Sequence, residues 1–445
     1  MKKILFSFLF FPYLCSAQIV SYVAGGGSFL GDGGPATSAL MYDPGYLKIT
    51  SNGVLYVSCP LDHRIRVIDK FGIIRTFAGT GSSGYSGDGG AATAAKIWEP
   101  SGIAIDTKGN FYFIDVYYNV IRKVNISTGI ISTICGTGGL VGGYNGDGIP
   151  ATAAQLSEPQ DICVDKIGNL YIADFGNQRI RKIDTMGIIH TFAGTGTSGF
   201  SGDGGPATSA LFNAPIGVSI DSNNSIYVLD GLNRRIRKIT PAGIISTVAG
   251  NGATGFSGDG LAATNASFSP GVIQISASNE LFISDRDNER ICKVDNSGIF
   301  HWVAGNGATT MTGDGGPATA ASMDPAGLAF DSCNNLLFTD IGAGHNVIRK
   351  VTFNPPPCRY LGVEPVASVP GPQIFPNPVL DRLYVEGLPT CSAFVLLNEL
   401  GINCLSGSLV VGKNEIPVAP LPPGYYFLVL TDEWGNKSFY KVIKQ

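Results

Sequence analysis

Short runs of β-branched and aromatic residues, each bounded by Gly, Asn or Asp, recur along the first three-quarters of the chain. In a representative stretch these runs occupy residues 162–164, 170–173, 179–183 and 188–193. They are too short for helices, and their turn residues favour four antiparallel strands. Only the segment Pro206-Ala207-Thr208 and its counterparts predict a helical turn, inside the long connection to the next group of strands.

The same four-strand pattern occurs six times, marked by a Gly-Asp-Gly segment. Its Asp stands at positions 32, 88, 147, 203, 259 and 314, at intervals of 55 to 59 residues. Four antiparallel strands per unit, repeated at this period, are typical of a radial β-propeller. We therefore predict an all-β chain whose residues 18–353 form a six-bladed β-propeller.

The ends of the repeat array predict how the ring closes. The last unit runs through its third strand, residues 347–351, and then meets Pro355-Pro356-Pro357, so its fourth strand is missing. Residues 19–25 align position for position with residues 244–250, which are a fourth strand in unit four. We expect the N-terminal strand to complete the sixth blade and so remove an open edge.

Composition limits the possible locations and partners. Charged residues make up 14% of the 445 positions and the net charge is −4, so the basic footprint of a nucleic-acid binder is absent. Residues 1–17 read as a secretory signal cleaved after Ala17. Lipidation at Cys15 is disfavoured because Leu14 precedes it. No later stretch is long and apolar enough for a transmembrane segment, which predicts a secreted, extracellular or surface-attached protein.

The remaining sequence predicts a linker and a second domain. Residues 354–372 are Pro-rich and should be extended. Residues 373–445 alternate apolar and polar positions between turns, which predicts a small C-terminal β-sandwich.

Two resemblances add to this interpretation. The GDGGPAT loops, the YIAD ending of the second strand and the RIRK of the third resemble NHL repeats over residues 18–353. The tail resembles the C-terminal sorting domain of the type IX secretion system of Bacteroidetes. Its matching features are Phe375-Pro376-Asn377-Pro378, residues 421–426 and Lys441-Val442-Ile443-Lys444, whereas Ile402 departs from the Arg common there. The second resemblance implies that residues 373–445 engage the secretion machinery.

Positions repeated in nearly every unit are expected to serve the fold. The Gly-Asp-Gly carboxylate should accept backbone N–H groups, and calcium binding is the alternative. The second strand ends in Asp and the third carries Arg, which predicts an ion pair within each hairpin. Cys135 and Cys163 stand where other units have Ala or Ser, so they are predicted to be small core residues.

Positions that differ between units are the candidate ligand-binding residues. One set precedes the first strand and would rim the central channel with carboxylates: Asp43, Glu99, Glu158 and Asp324. The other set lies in the turn between the second and third strands: Tyr117, Tyr118, Phe175, Leu232, Arg286 and Ile341. Exposed aromatic residues on loops of a rigid scaffold are typical binding anchors.

The sequence thus favours a non-enzymatic binding scaffold for a protein or glycan, without a cofactor. The alternative is a lyase or lactonase with a divalent metal at the channel mouth among Glu99, Glu158 and Asp324. A purely structural surface-layer protein is a third reading.

Overall fold

The computed structural model describes residues 18–28, 30–353, 373–375, 379–388, 392–398, 403–410, 412–431 and 437–444. The expected signal (1–17) and linker (354–372) lie outside these ranges. The chain divides into two compact units, Met1–Pro357 and Cys358–Gln445. Within the described ranges, no helix has the length and hydrophobicity that crossing a membrane requires.

The first unit is built from short strands. In chain order these are β1 (Ile19–Gly25), β2 (Leu47–Ile49), β3 (Leu55–Cys59), β4 (Arg64–Ile68), β5 (Ile74–Ala78), β6 (Pro100–Ile105), β7 (Asn110–Asp115), β8 (Val120–Asn125), β9 (Ile131–Cys135), β10 (Ile149–Pro150), β11 (Pro159–Val164), β12 (Leu170–Asp174), β13 (Arg179–Ile183), β14 (Ile188–Ala193), β15 (Pro215–Ile220), β16 (Ile226–Asp230), β17 (Arg235–Ile239), β18 (Ile245–Ala249), β19 (Pro270–Ile275), β20 (Leu281–Asp285), β21 (Arg290–Val294), β22 (Phe300–Ala304), β23 (Pro325–Phe330), β24 (Leu336–Asp340) and β25 (Val347–Thr352).

These strands form six antiparallel sheets in the described part of the first unit. Sheet 1 is β2–β5, sheet 2 is β6–β9, sheet 3 is β11–β14 with β10 at its outer edge, sheet 4 is β15–β18, sheet 5 is β19–β22, and sheet 6 is β23–β25 joined by β1. The sheets are consistent with the predicted propeller. In sheet 3 the first strand begins at Pro159 rather than at residue 162, because Pro159 already pairs with Asp174 across a bulge.

Two kinds of connection join the strands. We call the segment between the second and third strands of a sheet its b–c turn, and the long Gly-Asp-Gly segment that enters a sheet its incoming loop. Each incoming loop contains a 3-10 helix, as the Pro-Ala-Thr segments predict: Ala36–Ser38, Ala92–Ala94, Ala151–Ala153, Ala207–Ser209, Ala263–Asn265 and Ala318–Ala320. Four b–c turns form 3-10 helices that were not predicted: Pro60–Asp62, Phe175–Asn177, Arg286–Asn288 and Gly342–Gly344.

The hydrophobic cores lie between neighbouring sheets rather than within them. For example, Tyr171 and Ala173 of sheet 3 pack with Val218 and Val228 of sheet 4. Similar clusters join sheets 1 and 2, 2 and 3, 4 and 5, 5 and 6, and 6 and 1. The cluster between sheets 6 and 1 makes the array circular. Cys135 and Cys163 are buried in these clusters, as predicted.

The N-terminal strand completes sheet 6. β1 pairs antiparallel with β25, from Ile19 opposite Thr352 to Gly25 opposite Val347, with a bulge between Tyr22 and Ala24. Third and fourth strands elsewhere carry the same bulge, for example between Ile236 and Arg237 of β17. The predicted alignment of residues 19–25 with a fourth strand is therefore seen in the pairing, including its irregularity.

A fully buried arginine anchors the incoming loop in five of the six sheets. Arg66, Arg122, Arg181, Arg237 and Arg349 have no exposed side-chain surface. Each binds the Asp of the incoming Gly-Asp-Gly segment, as in Arg181 to Asp147 at 3.0 Å. Each except Arg66 also faces the buried Asp that ends the second strand, as in Arg181 to Asp174 at 3.4 Å.

This arrangement confirms the ion pair predicted within the hairpin and corrects the role given to the Gly-Asp-Gly carboxylate. The main partner of the Gly-Asp-Gly carboxylate is arginine. Backbone N–H groups donate to this carboxylate in fewer sheets, as the N–H of Thr133 donates to Asp88 at 3.0 Å. For Asp147, burial opposes ionisation, but hydrogen bonds from Thr191, Tyr144 and Arg181, with the arginine charge, hold its pKa below the usual range. A buried arginine requires such compensation, because an uncompensated buried charge is strongly destabilising.

Small polar side chains link the innermost strands of adjacent sheets. Asp161 of β11 accepts a hydrogen bond from the backbone N–H of Val218 in β15 at 2.9 Å. In the same way, Ser219 accepts the Ile275 N–H and Ser101 donates to the Gln160 carbonyl. These bonds satisfy backbone groups on strand edges that have no further strand beside them.

In its described residues, the second unit contains two sheets around one hydrophobic cluster. Its strands are β26 (Gln373–Phe375), β27 (Arg382–Leu388), β28 (Ser392–Asn398), β29 (Asn403–Leu409), β30 (Gly412–Pro417), β31 (Gly424–Thr431) and β32 (Lys437–Lys444). They form a three-stranded sheet ordered β26-β27-β30 and a four-stranded sheet ordered β29-β28-β31-β32. Leu383 and Ile416 of the first sheet and Leu396 and Leu428 of the second belong to the same core.

Removal of residues 18–25 should destabilise the whole first unit. The deletion exposes the edge of β25 and removes Val20 and Ala24 from two intersheet cores. Burial of a side chain such as Val contributes roughly 1.5–3 kcal/mol, so a loss of several kcal/mol is expected with the lost pairing. Thermal unfolding followed by circular dichroism measures it. Melting identical to that of the chain starting at residue 18 would contradict the closure.

Asp161 should give the stability a pH dependence. Burial raises its pKa from 3.8 to about 7, against hydrogen bonds from Val218 and Ile162 and the charge of Lys48. The folded chain therefore holds this proton more tightly than the unfolded chain, so its contribution to stability is lost as pH rises from about 4 to about 7. In urea titrations at pH 5 and pH 7.5, the wild type should lose stability relative to Asp161→Asn. Parallel pH profiles would rule out this role.

Candidate binding surface on the b–c turns

In three neighbouring sheets an asparagine ties the b–c turn to the incoming loop. Asn177 of sheet 3 donates to the carboxylate of Asp174 at 2.8 Å and to the carbonyl of Gly143 at 2.7 Å. Asn233 of sheet 4 and Asn288 of sheet 5 repeat both bonds. These asparagines therefore hold the scaffold, and the b–c turns and incoming loops lie together on one face of the first unit.

Sheet 2 replaces this asparagine with Tyr118, and the polar network there is incomplete. Asp115 is fully buried, yet its Oδ2 has no hydrogen-bond partner and lies 3.8 Å from Nη1 of Arg122. The Nε and Nη1 atoms of Arg122 are also without hydrogen-bond partners. Burial raises the pKa of Asp115 to about 7, whereas Asp174, which also accepts the Asn177 bond, has a pKa of about 6.

In place of the missing bonds, Tyr118 belongs to a cluster of four aromatic rings, which we call the aromatic cluster: Tyr85, Trp98, Tyr117 and Tyr118. Tyr117 stacks on Trp98 with ring centroids 3.8 Å apart and an interplanar angle of 10°. Tyr118 stacks on Tyr85 at 5.2 Å and meets Trp98 and Tyr117 nearly edge-on, at 6.2 and 6.0 Å. Tyr117 remains 43% exposed.

Contacts with neighbouring residues hold the aromatic cluster in place. The backbone N–H of Trp98 donates to Asp115 at 3.2 Å, and the guanidinium of Arg122 lies over the Tyr85 ring at 5.0 Å. On the sheet 1 side, the His63 ring meets Trp98 nearly at right angles, with centroids 6.3 Å apart. The cluster is thus positioned by the buried arginine network of sheet 2.

An apolar loop stands next to the cluster. The loop that enters sheet 3 exposes 62% of Leu140 and 86% of Val141. Asn119 holds it through a 3.1 Å bond to the Gly139 carbonyl. At Gly138 a Cβ would lie 2.6 Å from Cε1 of Tyr85, so glycine lets the loop pass close to the ring.

Three of the four predicted rim carboxylates occupy a recurrent backbone turn before the first strand. Asp43, Glu99 and Glu158 all have positive φ angles, of 50°, 54° and 47°, and Ala214 occupies the equivalent position in sheet 4 with φ 57°. The backbone N–H of Glu158 donates to the side chain of Asn119 at 2.7 Å. The recurrent left-handed conformation marks a structural turn.

Asp324 behaves differently from the other three carboxylates. It has no left-handed backbone, and its carboxylate lies 3.5 Å from the guanidinium of Arg286 in sheet 5. Among the described residues, no three His, Cys, Asp or Glu side chains are grouped so that they could hold a metal ion. The metal site expected among Glu99, Glu158 and Asp324 in the enzyme alternative is therefore not assembled.

The other variable b–c residues are distributed around the ring. Phe175 is half-buried and opens the 3-10 helix of sheet 3, whereas Leu232 of sheet 4 is 62% exposed. Ile341 of sheet 6 donates its N–H to the Asp324 carbonyl at 3.1 Å, so it joins the Arg286–Asp324 pair. The structure thus brings together Tyr117 and Tyr118 at one place and Arg286, Asp324 and Ile341 at another.

Sequence reasoning missed Trp98 and Tyr85. Trp98 donates its backbone N–H to the Asp that ends the second strand, and the residues that donate this bond in other units are Ser157, Asn213, Ser269 and Asp324. Comparison of the units at that position would have found it. Tyr85 was hidden because an aromatic residue stands three positions before the Gly-Asp-Gly Asp in five units, so it reads as scaffold.

Asn177→Ala should lower stability by about 1–3 kcal/mol, because it leaves the buried Asp174 carboxylate and the Gly143 carbonyl without this donor. Urea unfolding of the variant beside Asn223→Ala, at an exposed turn, measures the difference. Equal unfolding midpoints for the two variants would show that the asparagine bonds do not hold the turn.

Comparison with known proteins agrees with this fold. The Teneurin NHL domain family matches residues 80–145, 142–199 and 196–265. Human teneurin-1 is 31% identical over 251 residues, which cover 50% of this chain and 9% of teneurin-1. The chloroplastic protein SUPPRESSOR OF QUENCHING 1 of Arabidopsis thaliana is 27% identical over 334 residues, or 72% of this chain and 31% of that protein. The chain therefore spans only a small part of these relatives.

Solved structures share the architecture at low sequence identity. An auxiliary nutrient binding protein from Bacteroides thetaiotaomicron aligns with a TM-score of 0.54 and 15% identity, over 75% of this chain and 76% of that chain. A similarly described protein from Bacteroides ovatus aligns with a TM-score of 0.54 and 13% identity, over 76% of each chain. Together with the repeated sheets and the teneurin match, these likenesses support an NHL-type β-propeller fold for the first unit.

Proposed function

We propose that this chain is an exported binding scaffold that holds its ligand on the b–c face of a six-bladed propeller, at the aromatic cluster. The observation that supports this proposal most directly is the residue exchange in the b–c turn of sheet 2. There Tyr118 replaces the asparagine that donates to the strand-end carboxylate in sheets 3, 4 and 5. A local loss of structural hydrogen bonds in favour of surface aromatic residues is typical of a functional site.

The shape of the cluster suits binding more than internal packing. Tyr117 is 43% exposed although one of its faces lies against Trp98. Aromatic anchors held on a rigid frame lose little conformational entropy when they bind a partner. Two proteins of this fold are described as nutrient binding proteins. At their low identity the likeness concerns the fold, so the proposal rests on the cluster itself.

The enzyme alternative receives less support. It needs several metal ligands that converge at the channel mouth. The described residues offer no such group, and three of the four rim carboxylates occupy a recurrent backbone turn. A binding function requires no such metal ligands.

Export is the second part of the proposal. We infer that residues 1–17 direct secretion and that residues 373–445 form a β-sandwich recognised by the type IX secretion system. Support comes from the sequence features given above and from the separate compact unit that holds β26–β32. The destination would be the outer cell surface or the medium.

Tyr117→Ala should weaken ligand capture by the full mature chain about tenfold, because an aromatic contact of this kind contributes about 1 kcal/mol or more. A screen of immobilised glycans and surface proteins, with bound chain detected by antibody, identifies the ligand and measures the loss. The matched control is Ile167→Ala, which removes an exposed apolar side chain at the turn between the first and second strands of sheet 3. If both variants bound like the wild type, the cluster would not be the binding surface.

Deletion of residues 373–445 should leave the propeller folded but retained inside the outer membrane of a type IX-competent host. Cell fractionation and immunoblotting of the medium and periplasm measure the distribution. A full-length chain and a deleted chain that reached the surface equally would exclude a sorting role for the tail.

A further inference from the structure

We propose that the ligand of the aromatic cluster is a neutral saccharide, with one sugar ring stacked on the open face of Tyr117. This inference rests on the proposed binding function and names its ligand class. It follows from three features of the cluster, namely its flat platform, its unpartnered polar atoms and the charge around it.

The platform is the stacked pair of Tyr117 and Trp98. Trp98 covers one face of Tyr117, so the exposed surface of Tyr117 belongs to its other face and its edges. Tyr118 stands nearly perpendicular to both rings and prevents them from swinging apart. The axial C–H groups of a pyranose form a flat apolar face that fits against such a ring, whose π-face carries partial negative charge.

Polar atoms without partners lie beside the platform. His63, whose ring contacts Trp98, has a buried Nδ1 with no hydrogen-bond partner. The adjacent Asp62 is 8% exposed, and its Oδ2 also lacks a partner although Oδ1 binds Arg64 at 2.6 Å. Buried polar atoms are ordinarily satisfied, so each unpaired one needs an explanation. Sugar hydroxyls both donate and accept, so a hydroxyl that reached this side of Trp98 would find polar atoms to bind.

The charge around the cluster selects among ligands that stack on aromatic rings. Glu99 follows Trp98, and its charge adds to the raised pKa of the buried Asp115. The charge of Asp62 is balanced by Arg64 at 2.6 Å, so Glu99 supplies the negative charge next to the platform. Nucleic acid bases also stack on tyrosine and tryptophan, but their binding requires a basic groove for the phosphates. A neutral sugar carries no phosphate, so the negative charge near the platform does not repel it.

A protein partner is the competing ligand. A stable protein interface buries roughly 800 Å² on each side around an apolar centre that excludes charge. Here the open apolar surface is one face of Tyr117, near Glu99, which suits one or two sugar rings better. Leu140 and Val141 would then contact the edge of the sugar.

The test is affinity electrophoresis of the full mature chain in gels that contain laminarin, xylan, mannan or starch, with heparin and DNA as anionic comparisons. We expect at least one neutral polysaccharide to retard the wild type and the anionic polymers to leave it unchanged. Tyr117→Ala and His63→Ala should each weaken retardation about tenfold. Tyr117→Phe, which keeps the ring, should retain it. Ile167→Ala is the surface control.

Tyr118→Asn provides a variant that tests the cluster without threatening the fold. It installs the residue that sheets 3, 4 and 5 carry and should restore the bond to Asp115, so thermal unfolding should not fall below that of the wild type. It removes the perpendicular support of the platform, so retardation should weaken. Undiminished retardation in Tyr118→Asn would overturn the platform geometry.

The outcomes separate the saccharide from the broader binding function. Retardation by neutral polysaccharide that is lost in Tyr117→Ala supports both. Capture of a protein in the immobilised screen that is lost in Tyr117→Ala, without retardation by any neutral polysaccharide, overturns the saccharide and leaves the binding scaffold standing. Retardation only by heparin or DNA also overturns it. Capture of nothing in either assay contradicts both proposals.

Discussion

The structure of the first unit depends on a guanidinium placed in its interior between two carboxylates. One carboxylate ends the second strand of the same sheet, and the other comes from the incoming loop, some 35 residues earlier in the chain. Removal of such a charge from water is costly, and it is tolerated because hydrogen bonds and opposite charge surround it. The consequence is geometric. A long, glycine-rich loop that has no regular structure of its own is fixed onto the hairpin that follows it.

This constraint explains why the b–c face can carry a binding surface. The aromatic residue three positions before the Gly-Asp-Gly Asp lies on the arginine, as Tyr144 lies 4.8 Å from Arg181 and Phe200 lies 4.8 Å from Arg237. Sheet 2 uses the same contact between Tyr85 and Arg122 but adds Trp98, Tyr117 and Tyr118 above it. The scaffold of one sheet thus becomes the floor of an aromatic surface, at the expense of hydrogen bonds to Asp115.

Much of the architecture could be predicted because it repeats. Six copies of one strand pattern average out local ambiguity, and the missing fourth strand of the last copy has a single counterpart at the start of the chain. The partner of the Gly-Asp-Gly carboxylate could not be predicted, because Asp147 and Arg181 are 34 residues apart and only the folded loop brings them together. The backbone turn at Asp43, Glu99 and Glu158 was missed for a related reason. Their shared position before a proline reflects a left-handed turn, and the sequence contains no direct record of backbone angle.

Only part of the candidate surface could be predicted from the sequence. Tyr117 and Tyr118 differ from the residues of the other units, so comparison of the repeats detects them. Trp98 lies nearly twenty residues earlier, and its stacking on Tyr117 depends on the hydrogen bond between its backbone N–H and Asp115. Arg286 and Ile341 differ between units as well, yet they lie with Asp324 at a separate place. Variation marks candidates, whereas packing decides which of them act together.

The claim that a buried arginine fixes the incoming loop in five of the six sheets can be tested by hydrogen exchange in Arg181→Met. The loop that enters sheet 3 contains the amides of Gly143 and Gly148, which bond to the carbonyls of Leu156 and Ile189. We predict that exchange of these amides accelerates at least tenfold in Arg181→Met, while strands β12 and β13 stay protected and Lys182→Met exchanges like the wild type. Unchanged exchange of the loop in Arg181→Met would contradict the account.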